Sequence, residues 1–96
     1  MSKGYIVCVY ENIKDDQVLK NYANKARSAV EKYNGKFLVR GGEQTEFEIE
    51  GYERTVVIEF NSYEDALNCY NSNDYQKALE TVRISATRLV SIVKGI

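Results

Sequence analysis

The first strand pattern of the chain, residues 3–10, is apolar on both of its faces. Successive strand residues point to opposite sides of a sheet. The two sets are Tyr5, Val7 and Val9 on one side, and Ile6, Cys8 and Tyr10 on the other. A strand of this kind is typical of a sheet that is covered on both faces. The rest of the chain must therefore supply, or recruit, cover for two faces.

Two helical regions are predicted. Apolar residues recur at three- and four-residue steps over 15–33, which favours a helix that Gly35 ends in a left-handed conformation. The second helix begins at Ser62 as its N-cap. Its apolar stripe repeats about twelve residues later, which is roughly 120° out of phase at 100° per residue. The sequence therefore predicts a break near residues 71–74, after which the helix restarts.

The remaining segments are predicted to be strands. They span residues 36–40, 43–50, 54–60 and 86–93, and a short tail follows. Gly41 and Gly42 interrupt the first two of them. In the 43–50 segment, Phe47 and Ile49 alternate with glutamates, which indicates a half-exposed strand with an acidic face.

This order of elements predicts a fold and an assembly. A βαββαβ order typically builds an α+β, ferredoxin-like sandwich with an antiparallel sheet and both helices on one face. A chain of 96 residues is expected to form one domain, 1–96. Since two helices cover one face only, we expect a second copy of the chain to cover the other, giving a homodimer. The alternative is that this face is a mildly apolar surface.

The composition excludes several kinds of site. Histidine is absent, which removes Ser–His and Cys–His nucleophile pairs and histidine metal sites. Cys8 and Cys69 form no CxxC motif, so we expect reduced, buried thiols and neither a metal nor a cofactor. A net charge of −1 gives no general attraction to nucleic acid, and TVVIEF (55–60) lacks the signature of RNA-binding modules.

Neither a membrane nor an export pathway is indicated. No apolar run approaches the roughly 20 residues that a membrane helix needs. The start MSKGYIV does not have the organisation of a signal peptide. A cytoplasmic location is therefore expected.

Four segments carry a family resemblance. They are KGYIVCVY (3–10), KYNGKFLVRGG (32–42), RTVVIEFNSYEDALNCYNSNDYQKAL (54–79) and the closing strand ending in VKG. Together they resemble the domain of unknown function 1330 family, which is similar to the dimeric α/β-barrel superfamily. Asn61 and Asn73 stand where that family usually has proline. The resemblance implies a dimer and no assigned reaction.

The candidate ligand-binding residues are Arg40, Gly41, Gly42, Glu59, Tyr22 and Tyr70. Arg40 at a strand end, followed by two glycines, is suited to grip a carboxylate or phosphate. Glu59 lies on the same strand face as Val57, towards the proposed second copy, where a carboxylate could act as a general base. The alternative for Arg40 and Glu59 is an ion pair with each other. Tyr22 and Tyr70 line a cavity or simply pack in the core.

Three functions remain open from the sequence. The first is a homodimeric small-molecule-binding protein whose pocket, between helix and sheet or inside the dimer, is anchored by Arg40 and Glu59. The second is a cofactor-independent enzyme, resembling monooxygenases and isomerases of the superfamily, with Glu59 as base and Arg40 as electrostatic stabiliser. The third is a structural or interaction protein without a pocket.

Overall fold

The computed structural model describes residues 2–48 and 50–96. These residues form the elements β1 (Gly4–Glu11), α1 (Asp16–Lys32), β2 (Lys36–Arg40), β3 (Arg54–Phe60), α2 (Tyr63–Tyr70), α3 (Asn73–Val82) and β4 (Thr87–Lys94). The strands form one antiparallel sheet in the order β2-β3-β1-β4. This topology, with the helices packed on one face, is the ferredoxin-like α+β fold that the sequence predicts.

Helix α1 begins as predicted and ends differently. The Asp15 carboxylate caps it by accepting hydrogen bonds from the backbone N–H groups of Gln17 and Val18, at 2.9 and 3.3 Å. At the other end, Asn34 and not Gly35 adopts the left-handed conformation, with φ of 60°. Gly35 serves packing instead, because a Cβ there would lie only 2.7 Å from Cε2 of Phe60. The prediction that Gly35 adopts the left-handed conformation is therefore wrong.

The second helical region is broken where the change of phase predicts. Ser62 caps α2 by accepting from the backbone N–H of Asp65 at 3.1 Å. Ser72 then separates α2 from α3, since its hydroxyl donates to the Cys69 carbonyl at 2.7 Å and accepts from the Tyr75 N–H at 3.2 Å. None of the helices in the described ranges has the length and apolarity needed to cross a membrane.

The predicted strand over 43–50 is wrong for the part of it that the structure describes; Ile49 lies outside the described residues. Residues 42–48 pair with no strand among the described residues, and the Phe47 side chain is 80% exposed. The Glu46 carboxylate instead accepts from the backbone N–H groups of Gly51 and Tyr52, both at 3.1 Å. Local side-chain bonds of this kind compete with sheet pairing, and they leave the segment as an irregular loop.

The sheet has two unlike faces. The face under the helices holds the core, in which Ile6, Cys8 and Tyr10 of β1 are all buried. The helix-free face carries Val57 at its centre, which pairs with Val7 of β1 on one side and with Val39 of β2 on the other. Further out on β4, the same face exposes large apolar side chains, with Leu89 52% and Val93 47% accessible. The apolarity of both faces, which the β1 pattern predicts, is therefore present, and one face has no helix over it.

Candidate functional site

A small cavity lies between α1 and the sheet. Its walls come from Leu19, Tyr22, Ala23 and Ala26 of α1, from Tyr75 of α3, and from the sheet residues Ile6, Cys8, Tyr10, Phe37, Arg40, Arg54, Val56, Ile58 and Arg88. The free space is about 30 Å³, which holds about one or two water molecules. The two alanines create this space, because small side chains on α1 face large ones on the sheet.

The strand register places two arginines beside Tyr10. Tyr10 of β1 pairs with Arg54 of β3 on one side and with Arg88 of β4 on the other. Neighbouring strands are about 4.8 Å apart, so the three side chains form one row across the sheet, on the face that α1 covers. The guanidinium carbon of Arg88 lies 5.2 Å from the Tyr10 ring centre and 5.0 Å from that of Tyr22. Both contacts are cation–π interactions.

A pair of tyrosine hydroxyls continues the polar cluster. An Arg88 Nη donates to the Tyr22 hydroxyl at 3.0 Å. The Tyr22 and Tyr75 hydroxyls are in turn hydrogen-bonded to each other at 2.8 Å, with their rings edge to face. Both tyrosines are almost completely buried. The hydrogen bond to Tyr22 therefore holds one Nη atom of the Arg88 guanidinium. The Arg88 Nε–H takes no part in this bond.

Two guanidinium nitrogens of the cluster lack partners. The Nε atoms of Arg54 and Arg88 are buried, and neither has a hydrogen-bond acceptor among residues 2–48 and 50–96. The ion pairs among residues 2–48 and 50–96 are Arg27–Glu31 and Lys32–Asp74, both on the surface. Arg40, Arg54 and Arg88 therefore line the cavity without a carboxylate partner in the described chain. A buried N–H without an acceptor is uncommon in folded proteins and costs free energy.

The other titratable groups of the cavity are neutral at physiological pH. Burial raises the pKa of the Cys8 thiol, against the opposing effect of the Arg88 charge. Burial also raises the pKa of the Tyr10 hydroxyl to about 12 and raises the pKa of both Tyr22 and Tyr75. No thiolate or phenolate therefore compensates the arginine charges near pH 7.

The residues predicted for a site are distributed over several places. Arg40 and Tyr22 lie on the cavity wall, and Arg40 is exposed at its edge, stacked 4.6 Å above the Phe37 ring. Tyr70 is not part of this wall; it is half-buried and packs against Tyr75, with 5.2 Å between ring centres. Gly42 is exposed, and a Cβ at this position would have no neighbour within 4 Å among the described residues.

Glu59 lies on the opposite side of the sheet from Arg40. It pairs with Lys36 and Tyr5 in the sheet and accepts a hydrogen bond from the Tyr5 hydroxyl at 3.1 Å, on the helix-free face. Arg40 pairs with Val56 and faces α1. Within one chain, the predicted pocket anchored by both residues, and the alternative ion pair between them, are therefore both wrong. The reason is the irregularity at Leu38, which shifts the register of β2 before Arg40.

Arg54 and Arg88 are the residues that the sequence reasoning did not single out. Arg54 shares a face with Val56, Ile58 and Phe60 by simple alternation, and that spacing is the signal that could have found it. Arg88 bears the same relation to Val90 and Ile92 on β4. Each is a charged residue in line with a buried apolar face, which is unusual enough to mark a site.

Gly41 makes room for Arg54. It has a positive φ of 69°, its N–H donates to the Thr55 carbonyl at 2.9 Å, and a Cβ there would overlap the Arg54 guanidinium. The position of the Arg54 guanidinium therefore explains why residue 41, the first glycine after Arg40, lacks a side chain.

Replacing Gly41 with alanine is expected to lower the free energy of unfolding by about 1–2 kcal/mol, the cost of a left-handed backbone for a residue with a Cβ. In a domain of this size that corresponds to a fall of roughly 4–15 °C in Tm, measured by circular dichroism. Gly42→Ala is the matched control, and it is expected to change the free energy by less than about 0.5 kcal/mol. Equal effects of the two substitutions would contradict the role assigned to Gly41.

Comparison with protein families identifies the family of the chain. The family model described as Domain of unknown function (DUF1330) matches residues 3–96. The chain belongs to the DUF1330 family. This confirms the resemblance seen in the sequence, and the family name assigns no reaction. No curated protein matches the DUF1330 chain significantly.

Solved structures share the fold at low identity. A protein of unknown function from Rhodopseudomonas palustris is 13% identical, with 99% of this chain and 83% of that chain covered and a TM-score of 0.75. A candidate antibiotic biosynthesis monooxygenase from Caulobacter crescentus is 10% identical, with 99% and 91% covered and a TM-score of 0.69. A dimeric protein of unknown function and ferredoxin-like fold from Bacteroides fragilis is 10% identical, with 96% and 95% covered and a TM-score of 0.57. At these identities the likeness shows the ferredoxin-like fold alone.

Proposed function

We propose that this DUF1330 protein is a homodimeric small-molecule-binding protein whose ligand occupies the cavity between α1 and the sheet. The observation that carries the proposal is the cavity itself, in which apolar walls surround a few inward-facing polar side chains. That combination is characteristic of ligand pockets. Its polar members Arg54, Arg88, Tyr22 and Tyr75 come from four different elements, β3, β4, α1 and α3.

The cavity can enlarge at modest cost. Ligand pockets are typically about 300–1,000 Å³, far above the free space in the closed structure. Arg40 lies exposed at the edge of the cavity, whereas Arg88 is held by Tyr22 and by its two cation–π contacts. Exposed side chains change rotamer on a fast timescale, whereas core atoms do not. A ligand therefore gains room by displacing the Arg40 side chain rather than by opening the core.

The helix-free sheet face supports the dimer. The molecule is only 17 Å thick along its shortest axis, as expected for one helix layer on one sheet. Val7 and Val57 lie in the middle of the uncovered face, with Val39 beside them on the edge strand β2 and with Leu89 and Val93 exposed on β4. A second copy packed through the same face would remove this apolar surface from water. The Bacteroides fragilis protein of like fold is described as dimeric.

The enzymatic alternative has less support. It depends on Glu59 and Arg40 acting on one substrate, and these residues face opposite sides of the sheet. The candidate monooxygenase of like fold is only 10% identical, and fold alone does not supply a reaction. An interaction role without a ligand is the remaining alternative, and a metabolite screen distinguishes it from ligand binding.

The proposal is tested by screening a library of metabolites that includes neutral compounds and acids, with protein-observed NMR as the readout. Ligands are expected to shift the backbone amides of Cys8, Ala23 and Ala26, which lie around the cavity. Ala23→Leu should abolish these shifts, because the larger side chain fills the cavity from a helix position that tolerates leucine.

Asn24→Leu is the matched control. It introduces the same side chain at the next, exposed position of α1 and should leave binding unchanged. If no compound of any class shifts the cavity amides, the ligand-binding proposal is wrong and the interaction role is favoured. Binding that survives Ala23→Leu would place the ligand elsewhere.

A further inference from the structure

Resting on this proposed function, we infer that the ligand is a small organic carboxylate with an apolar body. Its carboxylate lies between Arg54 and Arg88, above Tyr10. The inference comes from the hydrogen-bonding and charge balance of the cavity, and it names a class of ligand rather than one compound.

The polar side chains of the cavity have more donors than acceptors. Guanidinium groups donate only, and the Nε–H groups of Arg54 and Arg88 have no acceptor in the part of the chain that the structure describes. The Tyr22 and Tyr75 hydroxyls carry one proton each and share one hydrogen bond, so one phenolic proton is left without a partner within the pair. Tyr22 already accepts from Arg88. What completes the cluster is therefore a group that accepts several hydrogen bonds.

The charge balance favours an anion as that acceptor. In the described ranges no carboxylate oxygen lies within 4.0 Å of an Arg54 or Arg88 nitrogen. Asp16 shares a shallow surface groove with Arg54 without forming an ion pair, and the Glu53 carboxylate is bonded to the Ile13 N–H at 2.9 Å. Cys8 and the tyrosines of the cavity stay neutral near pH 7, as derived above. A bound carboxylate would neutralise one of these positive charges and satisfy both Nε atoms.

The row geometry suits a carboxylate in particular. Arg54 and Arg88 flank Tyr10 across one strand, so their backbones are about 10 Å apart, and two side chains can converge on one small anion between them. A carboxylate offers two oxygens, each able to accept more than one hydrogen bond, which matches two Nε–H groups and one phenolic proton.

The rest of the wall is apolar and favours a small hydrophobic body over a second polar group. Ile6, Val56, Ile58, Leu19 and the two alanines of α1 supply this part of the lining. A phosphate, with more oxygens and a higher charge, would leave acceptors unpaired against these side chains. The combination therefore selects a monocarboxylate with an aliphatic or aromatic body.

The experiment compares acids with their neutral amides on the full chain. The probes are benzoate against benzamide and isobutyrate against isobutyramide, pairs of nearly the same shape, together with phenyl phosphate. Calorimetry and protein-observed NMR at pH 7 give the affinities. At least one acid is expected to bind ten-fold or more tightly than its amide and to shift the amides around the cavity.

Arg54→Gln is expected to weaken binding of that acid at least ten-fold and to leave the weak binding of its amide within two-fold. Arg83→Gln, an exposed arginine outside the cavity, is the matched control and should change neither. Circular dichroism establishes that each variant is folded, and the comparison of acid with amide on the unaltered protein stands without any variant.

Three results would overturn the carboxylate assignment. They are equal binding of an acid and its amide, tighter binding of phenyl phosphate than of benzoate, and no binding of either acid while a neutral library compound binds the cavity. Each of these leaves the proposed ligand-binding function intact. Failure of every library compound to bind would overturn the proposed function as well, so the two failures are distinguishable.

Discussion

Replacing Val57 with aspartate is expected to convert the proposed dimer, of twice the chain mass, into an 11.0 kDa monomer. Val57 lies at the centre of the helix-free face, between Val7 and Val39. In a symmetric dimer both copies would bring a carboxylate into the apolar interface, and an unpaired buried charge costs several kcal/mol. We expect the dissociation constant to rise more than about 100-fold, since each 1.4 kcal/mol corresponds to a factor of ten.

Sedimentation equilibrium at micromolar concentration measures this change. Ile84→Asp is the control, because Ile84 is 83% exposed in the turn after α3 and should leave the dimer intact. Val39→Asp, on an edge strand of the same face, gives a second variant if Val57→Asp does not fold. If the unaltered protein sediments as a monomer, or if Val57→Asp remains dimeric, the helix-free face is not the interface.

Phe60→Ala is expected to have the largest effect on stability. The side chain is 1% exposed and packs at the end of β3 against the turn at Gly35. Removing a buried phenylalanine typically costs about 3–5 kcal/mol, from lost burial and from the cavity left behind. Since domains of this size are stabilised by only about 5–15 kcal/mol, we expect a large fall in the urea midpoint, or an unfolded variant.

Phe47→Ala provides the same chemical change at a side chain that is 80% exposed. We expect it to alter the free energy of unfolding by less than about 0.5 kcal/mol. Urea titrations give the free energy of unfolding of both variants. The comparison holds if the slope of that free energy against urea concentration is the same for both. A loss from Phe47→Ala as large as that from Phe60→Ala would indicate that the 43–48 segment packs as the strand that the sequence predicts, or that it contributes to the dimer.

Much of the fold could be predicted from the sequence, because the local signals agree with the tertiary structure. The alternation in β1 and β3 indicates which residues are buried, and the caps at Ser62 and the change of phase near 71–74 locate the helix breaks. The prediction of a strand over 43–50 is wrong, although Phe47 and Ile49 alternate with glutamates as residues of a strand do. Alternation cannot indicate whether a neighbouring strand is available, and here the Glu46 carboxylate accepts backbone hydrogen bonds that stabilise a loop.

The site was less predictable, because it depends on register between strands that are distant in sequence. Arg54 and Arg88 lie 34 positions apart in the chain, and they meet only through their common pairing with Tyr10. The position of Arg40 before two glycines predicts a ligand-binding residue, and Arg40 lies on the cavity wall. Its face relative to Glu59 could not be inferred, since one irregular residue in β2 reverses the alternation.

A crystal structure of the protein with the tighter-binding of the two acids, benzoate or isobutyrate, examines the cavity between α1 and the sheet most directly. We expect density for the apolar body of the acid in this cavity, and carboxylate oxygens about 3 Å from both the Arg54 and the Arg88 Nε atoms. Saturating acid that leaves those two nitrogens bonded only to water, with the apolar body bound elsewhere or not at all, would contradict the assignment of this cavity as an organic-acid site.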